Sequence, residues 1–289
     1  LKLAYEALAK QSQSARSYQK YYLGDQPLMY THERLRQVFD RSTVNFVQNW
    51  CAVVVDTTCD RMVLKGWDNP DIATKKSLEA VWRVQNIQTL SRQVHKDAVV
   101  TGNGYLMLDY VDGEARVFYN TPSQVIAIYE SDDPLVMRMG CKVFYESAAD
   151  LSHLNLYYPD RIEKYEQAGR SNSENGFTLS EVIPNGFGRV PIIHFHCQSD
   201  LPNVIPLQDA INKTFSDMMV VAEFNAFPQR WMITNADVSS LTASPQSIMR
   251  IPKGAMDEEN TSVGEFGVAD LAMYLDSIDK LTNTIATIS

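Results

Sequence analysis

SDLPNVIPLQDAINKTFSDMMVVAEFNAFPQRWMI, residues 199–233, is the stretch that sets the architecture of this chain. It opens on turn residues. Pro206 suits a helix N-terminus, where its missing N–H would be unpaired in any case. Leu207, Ile211, Phe215, Met218, Met219, Ala222 and Phe227 then recur at helical spacing. The reading is a helix of about 20 residues, ~30 Å long, stopped by Pro228. Beyond it come short β-like pieces, RWMIT (230–234), SIMRIP (247–252) and SVGEF (262–266), separated by Ser, Asn, Asp and Gly. A second helical pattern runs from Asp270 to Ile288 through Leu271, Tyr274, Leu275, Ile278, Leu281 and Ile285. It carries no stop signal, so the expectation is a longer protein that continues past Ser289.

Both helices are apolar on one face and acidic or small elsewhere. The first carries Asp209, Asp217 and Glu223; the second carries Asp270, Asp276 and Asp279 against a single Lys280. Two readings fit. One is a helical hairpin with a solvated outer surface. The other is a helix pair packed side by side in an oligomer, turning its acidic face to a central space.

Upstream, Leu1, Ala4, Tyr5, Leu8 and Ala9 predict an N-terminal helix that ends at Gly24. In residues 35–55, Val44, Val47, Cys51, Val54 and Val55 share a helical face, although the β-branched run 53–55 also suits a strand. Val63 to Trp67 reads as a short strand. Helices are predicted over 72–85 and 89–101, the second stopped by Gly102. Asp112-Gly113 between two alternating runs predicts a hairpin of 105–110 with 114–119. Strands are then expected at 125–129, 136–145, 154–158, 162–166 and 190–196, with a polar loop over 168–176. This middle third predicts a mixed or antiparallel sheet.

Composition narrows the function. Of 289 residues, 45% are hydrophobic and 21% charged, which argues against a disordered chain. No apolar run approaches the roughly 20 residues that cross a bilayer, and no membrane is expected as a partner. Net charge is 26 − 35 = −9. A protein gripping nucleic acid over a broad surface is usually basic; one that handles DNA without holding it need not be. Cys51, Cys59, Cys141 and Cys197 form no CxxC pair and read as reduced thiols.

Catalytic patterns are weak. His194 and His196 would point to one side of a strand and could meet one ion, but no third ligand is signalled. Gly102-Asn103-Gly104 and Gly186-Phe187-Gly188 lack the GK[ST] continuation of a phosphate loop and read as turns. There is no G-x-S-x-G elbow, and His95 and Asp97 are wrongly spaced for one helical face. Trp50, Trp67, Trp82 and Trp231 are read as packing residues. The expectation is no enzyme, no metal and no cofactor. The alternatives carried are an α+β metal-dependent hydrolase using His194 or His196 and a soluble partner-binding module.

Several ordered stretches resemble the phage portal proteins, the head-to-tail connectors of tailed bacteriophages, in the branch typical of long non-contractile tails. They are YYLGDQPL (21–28) with VNFVQNWCAVVVDTTCDRMVLKGW (44–67), VHKDAVVTGNGYLML (94–108), Pro122 to Val125 with Ile128-Tyr129, and FGRVPIIHF (187–195) followed by the 199–233 stretch. The resemblance implies an α+β chain with four parts. These are a mixed-sheet wing with N-terminal helices (1–198), a first stem helix (199–226), a small β-containing clip (227–267) and a second stem helix (268–289).

It also implies a ring, usually of about twelve copies with head-to-tail contacts, at one capsid vertex of the virion and assembled in the host bacterial cytoplasm. Implied partners are the terminase, a head-completion adaptor, the major capsid and scaffolding proteins, and double-stranded DNA passing through the channel. On this reading Asp270, Asp276, Asp279 and Lys280 line the channel. Arg230, Trp231, Met232, Ile233, Ile248, Arg250 and Ile251 build intersubunit clip sheets. Leu207, Ile211, Phe215, Met218, Leu271, Leu275 and Ile278 pack the stem. An acidic lining repels phosphates, which suits DNA in motion.

Overall fold

A computed structural model of the chain describes residues 1–26, 48–111, 113–170, 174–226, 230–233, 262–265, 267 and 270–289. It shows a mixed α+β chain in two compact units: among the described residues, 1–26, 49–205 and 289 form the first, and Gln48 with 206–288 the second.

The first unit opens on α1 (Lys2–Leu23), ended by Gly24 in the left-handed region at φ 74, where its N–H reaches back to the carbonyls of Lys20 and Tyr21. Three further helices follow: α2 (Trp50–Arg61), α3 (Ile72–Val84) and α4 (Ile87–Thr101). The Asn49 side chain caps α2 by accepting from the Ala52 N–H at 3.2 Å and donates to the Tyr22 carbonyl at 2.7 Å, which ties α1 to α2. Tyr22, Asp56 and Lys96 then join α1, α2 and α4 in one polar contact: the tyrosine hydroxyl donates to Asp56, and the ammonium of Lys96 donates to the same hydroxyl at 2.7 Å.

Two sheets follow. β1 (Asn103–Val111), β2 (Glu114–Asn120) and β8 (Ile192–His196) form one in the order β2-β1-β8. β3 (Val125–Tyr129), β4 (Met137–Glu146), β5 (Leu151–Tyr157), β6 (Arg161–Ala168) and β7 (Thr178–Pro184) form a five-stranded meander in that order. Every pair is antiparallel. Of the two sheet types expected, mixed or antiparallel, the second is observed; in the β1–β2 hairpin and the meander, strands joined in succession have no crossover with which to run parallel. The β1–β2 hairpin has the expected register, with Val111 opposite Glu114.

The cores explain these elements. Ala4 and Leu8 of α1 pack with Met139, Cys141, Leu154 and Leu156 of the meander. Tyr105, Met107, Val125, Val190 and Ile192 form a second cluster. Gly104 permits close approach of β1 to α4: a Cβ there would sit 2.4 Å from the Val94 carbonyl oxygen. All four cysteines are free, Cys51 and Cys141 buried, Cys59 and Cys197 half-buried.

Three expectations are corrected. Residues 63–67 are not a strand, because nothing among the described residues pairs with them. β7 lies where no strand was expected; six of its seven residues are exposed, so it lacks the one-sided alternation that marks a strand in sequence. Pro206 is not at a helix N-terminus. The helix, α5 (Leu201–Ala226), starts five residues earlier and carries Pro206 inside it. Its true first turn holds Pro202, and the Ser199 hydroxyl accepts from the Leu201 N–H at 3.3 Å.

Candidate functional site

The second unit holds most of α5, β9 (Arg230–Ile233), β10 (Ser262–Glu265) and α6 (Ala272–Ile288). A helix, a strand pair and a second helix thus follow one another along the chain. β9 and β10 pair antiparallel, with Ile233 opposite Ser262 and Arg230 opposite Glu265. The expected clip residues Arg230, Trp231, Met232 and Ile233 therefore make up β9. Ile248, Arg250 and Ile251 lie outside the described residues.

Along α5, the expected packing residue Ile211 is fully buried, whereas Leu207, Phe215 and Met218 are half-buried. The same helix also buries Gln208, Asn212 and Ser216, spaced by four and so aligned on one face. Gln208 donates to the Asn212 side-chain carbonyl at 3.0 Å and to the backbone carbonyl of Gln48. Asn212 in turn accepts the Gln48 N–H at 3.2 Å. Two buried amides thus hold both polar backbone groups of Gln48, which removes the desolvation cost either would carry alone. Sequence reading missed this ladder. The four-residue spacing of Gln208, Asn212 and Ser216 was visible, but polar residues on a helix are read as solvent-facing by default.

On α6, Ile278 and Ile285 are buried and Leu271 is half-buried, while Leu275 is 51% exposed. Asp276, Asp279 and Lys280 are exposed and share one face by their three- and four-residue spacing. Asp270 stands apart from them. It precedes the helix, and its carboxylate accepts the Ala272 N–H at 2.9 Å, which satisfies an otherwise unpaired donor of the first turn.

The candidate chemistry in the first unit is already engaged. His194 accepts or donates at both ring nitrogens, to the Tyr129 hydroxyl at 2.9 Å and to Asn103 Oδ1 at 2.9 Å, and its ring stacks on Tyr105 at 4.7 Å. Burial, with the neighbouring His196, pushes its imidazole pKa down to about 4. Among the described residues no group of three His, Cys, Asp or Glu side chains could hold a metal ion. His95 packs edge-on against Phe195, and burial lowers its pKa. Asp97 bonds the Tyr119 hydroxyl, and burial raises its pKa. Of the tryptophans, Trp67 and Trp82 pack edge to face at 5.8 Å. Gly102 caps α4 at φ 85, and Gly188 sits at φ 63 in a loop. No described helix is long and apolar enough to cross a membrane.

A family model for phage portal proteins matches residues 3–286, nearly the whole chain, which gives the class of the molecule. The chain belongs to the SPP1 Gp6-like family of phage portal proteins. This is the family that the ordered sequence stretches resemble. The family is structural rather than enzymatic, and it implies a homo-oligomeric ring at the capsid vertex of the virion. No curated protein matches the chain.

Proposed function

We propose that this chain is the subunit of a ring of about twelve copies that forms the channel for DNA packaging and ejection. The ring docks first the terminase and then the head-completion adaptor, and it assembles with the major capsid and scaffolding proteins. The observation that carries this reading is the family match over residues 3–286. The succession of α5, the β9–β10 pair and α6 supports a finer assignment. Residues 1–198 are the wing, 199–226 the first stem helix, 227–267 the clip and 268–289 the second stem helix. β9 and β10 then begin and end the clip.

The same assignment gives the exposed face of α6 to the channel, with Asp276, Asp279 and Lys280 toward the lumen. Asp270 contributes there as a helix cap with a charge. Two carboxylates against one ammonium leave each copy's face acidic, and ring closure repeats that charge around the axis. DNA phosphates are repelled from such a wall, so a moving duplex finds no counter-charge to stop against. The stem residues Leu207, Ile211, Phe215, Met218, Leu271, Leu275 and Ile278 pack within and between copies. Leu275 and Met273, both more than half exposed, are the ones left for a neighbour.

Negative-stain imaging with native mass measurement of the purified chain tests the reading. Rings of about a dozen subunits with an open centre are expected. A species that stays monomeric at rising concentration, with no rings on the grid, overturns it.

A further inference from the structure

The histidine pair of β8 has no part in the portal reading. His194 and His196 are two apart on an outer strand of the sheet β2-β1-β8 and so share one face. Their register partners on β1 are Tyr105 and Asn103, which lie on that same face. Phe195 between them points the other way, against His95 of α4. The two imidazoles therefore stand clear of α4, with ring centroids 5.6 Å apart.

Both rings bring a nitrogen to one atom. Asn103 Oδ1 lies 2.9 Å from His194 Nε2 and 3.4 Å from His196 Nδ1. Donor atoms held about 2.0–2.2 Å from one metal ion stand about 2.9–3.4 Å from each other, from octahedral to tetrahedral geometry. The two N···O separations fall at those limits. No third His, Cys, Asp or Glu among the described residues joins the pair. The third donor is the amide oxygen, contributed across the strands and so not signalled along the chain. The other nitrogen of His194, Nδ1, is 2.9 Å from the Tyr129 hydroxyl. A metal-bound imidazole uses such a partner: with the ion on Nε2, Nδ1 carries the proton and donates it to the tyrosine oxygen. His194 is further fixed by its stack on Tyr105 at 4.7 Å, whereas His196 is exposed and leaves the place open to solvent.

We propose that His194, His196 and Asn103 bind a divalent transition metal of the nickel, copper and zinc group, with water at the remaining positions. Imidazole suits these ions, whereas magnesium and calcium prefer all-oxygen sets. A turn of the exposed His196 ring and of the Asn103 side chain admits the ion, which replaces the two hydrogen bonds to Oδ1. The donor set is neutral, so binding is reversible rather than permanent. The ion ties the last residue of β8 to the first of β1 at the edge of the sheet. Its role is that of a staple, and nothing in it depends on the portal reading.

Calorimetric titration of the full chain with zinc chloride, after chelator treatment and buffer exchange, tests this. One saturable site per chain is expected, together with a rise in melting temperature; magnesium chloride gives neither. His196→Gln, at an exposed position, is expected to weaken zinc binding at least tenfold with an unchanged circular dichroism spectrum. Because His194 is packed into the sheet, the second variant is Asn103→Asp. It keeps the shape, turns the amide into a charged ligand, and is expected to tighten binding at least tenfold. Cys59→Ser with Cys197→Ser controls for the two half-buried thiols, and that variant is expected to bind zinc as the unaltered chain does. The absence of saturable zinc binding overturns the proposal. So does binding that His196→Gln leaves unchanged, or that disappears with the two cysteines. Binding that falls with His196→Gln but does not tighten with Asn103→Asp overturns the three-donor site.

Discussion

In the five-stranded meander, Leu154 and Leu156 meet Met139, Cys141 and the Ala4–Leu8 face of α1, all apolar. Along α5, three of the buried positions are Gln208, Asn212 and Ser216. The two regions are held by different physics. An apolar cluster gains from area removed from water and tolerates small shifts, since the attraction has no direction. A buried amide pair gains little net energy but demands its partners at fixed distances, because a lost partner leaves a dry polar group behind. The meander is therefore specified by volume and α5 by position. The second kind of constraint fixes rotation of the helix about its own axis, which the proposed stem role of α5 would need.

The sharpest way to break the comparison is in the apolar core. Leu154 is fully buried at the centre of β5. Leu154→Ala removes its packing and leaves a cavity, at an expected cost of about 2–5 kcal/mol. Urea unfolding of the full chain reads this. A loss below about 0.5 kcal/mol, the level of an ordinary surface change, would show that the meander does not depend on that cluster.

Asn212→Ala probes the other side. It strips the acceptor from both the Gln48 N–H and the Gln208 amide, at an expected cost of about 1–3 kcal/mol. The distinguishing outcome is the rescue. Asn212→Leu refills the volume, which would restore an apolar site, but it does not return the acceptor that the Gln48 N–H and the Gln208 amide use. If the Leu variant is as stable as the unaltered chain, α5 is held by volume after all and the contrast with the meander disappears.

These two regions also differ in how far they could be read from sequence. The sheets of the first unit were legible where turn chemistry and alternation coincided, as at the β1–β2 hairpin around Asp112-Gly113, and where strands carried one apolar face, as in β5 of the meander. They were illegible at β7, whose residues are exposed on both sides. Val63 to Trp67 misled for the complementary reason: its composition favours a strand, but strand composition does not supply a partner. On α5 the helix was legible from its apolar period, whereas its start was misjudged because Pro206 and Pro202 both suit a first turn and one turn separates them. The α6 carboxylates were legible as residues but not as roles. Asp270 reads like Asp276 and Asp279 in sequence, and the single hydrogen bond to Ala272 sets it apart. The buried amides were hidden by the expectation that Gln and Asn face water.

A third prediction sharpens the comparison through pH. His194 lies between Tyr129 and Asn103 with its pKa lowered to about 4 from an ordinary 6.5. An imidazole whose folded pKa is below its unfolded one is held neutral by the fold. Its contribution is complete above about pH 6.5 and is lost as the pH falls toward 4, because the unfolded chain then takes up a proton that the folded chain refuses. With partial exposure screening the effect, the expected loss over that window is about 1–2 kcal/mol. Thermal melting at pH 7 and pH 4.5, compared with His194→Gln, isolates it. An equal fall in both proteins would assign the pH dependence to other groups.

The smallest effect on folding is expected on α6, and there the absence of an effect is itself informative. Asp276 and Asp279 are exposed, so Asp276→Lys with Asp279→Lys should change stability by no more than about 0.5 kcal/mol per site. Function should respond far more. If these carboxylates face a channel, reversing them turns a wall that repels phosphates into one that holds them, and each copy in the ring repeats the change. Assembled rings carrying the double variant should retain linear duplex DNA at low salt where unaltered rings release it. That retention should fade steeply as salt rises, because phosphate contacts release counterions. Retention that is unchanged by the substitutions, or insensitive to salt, would remove this face of α6 from the channel. Asp270→Asn serves as the internal contrast. It keeps the acceptor that caps Ala272 while deleting a charge, so the helix should stay intact and DNA retention should move less than with the paired reversals.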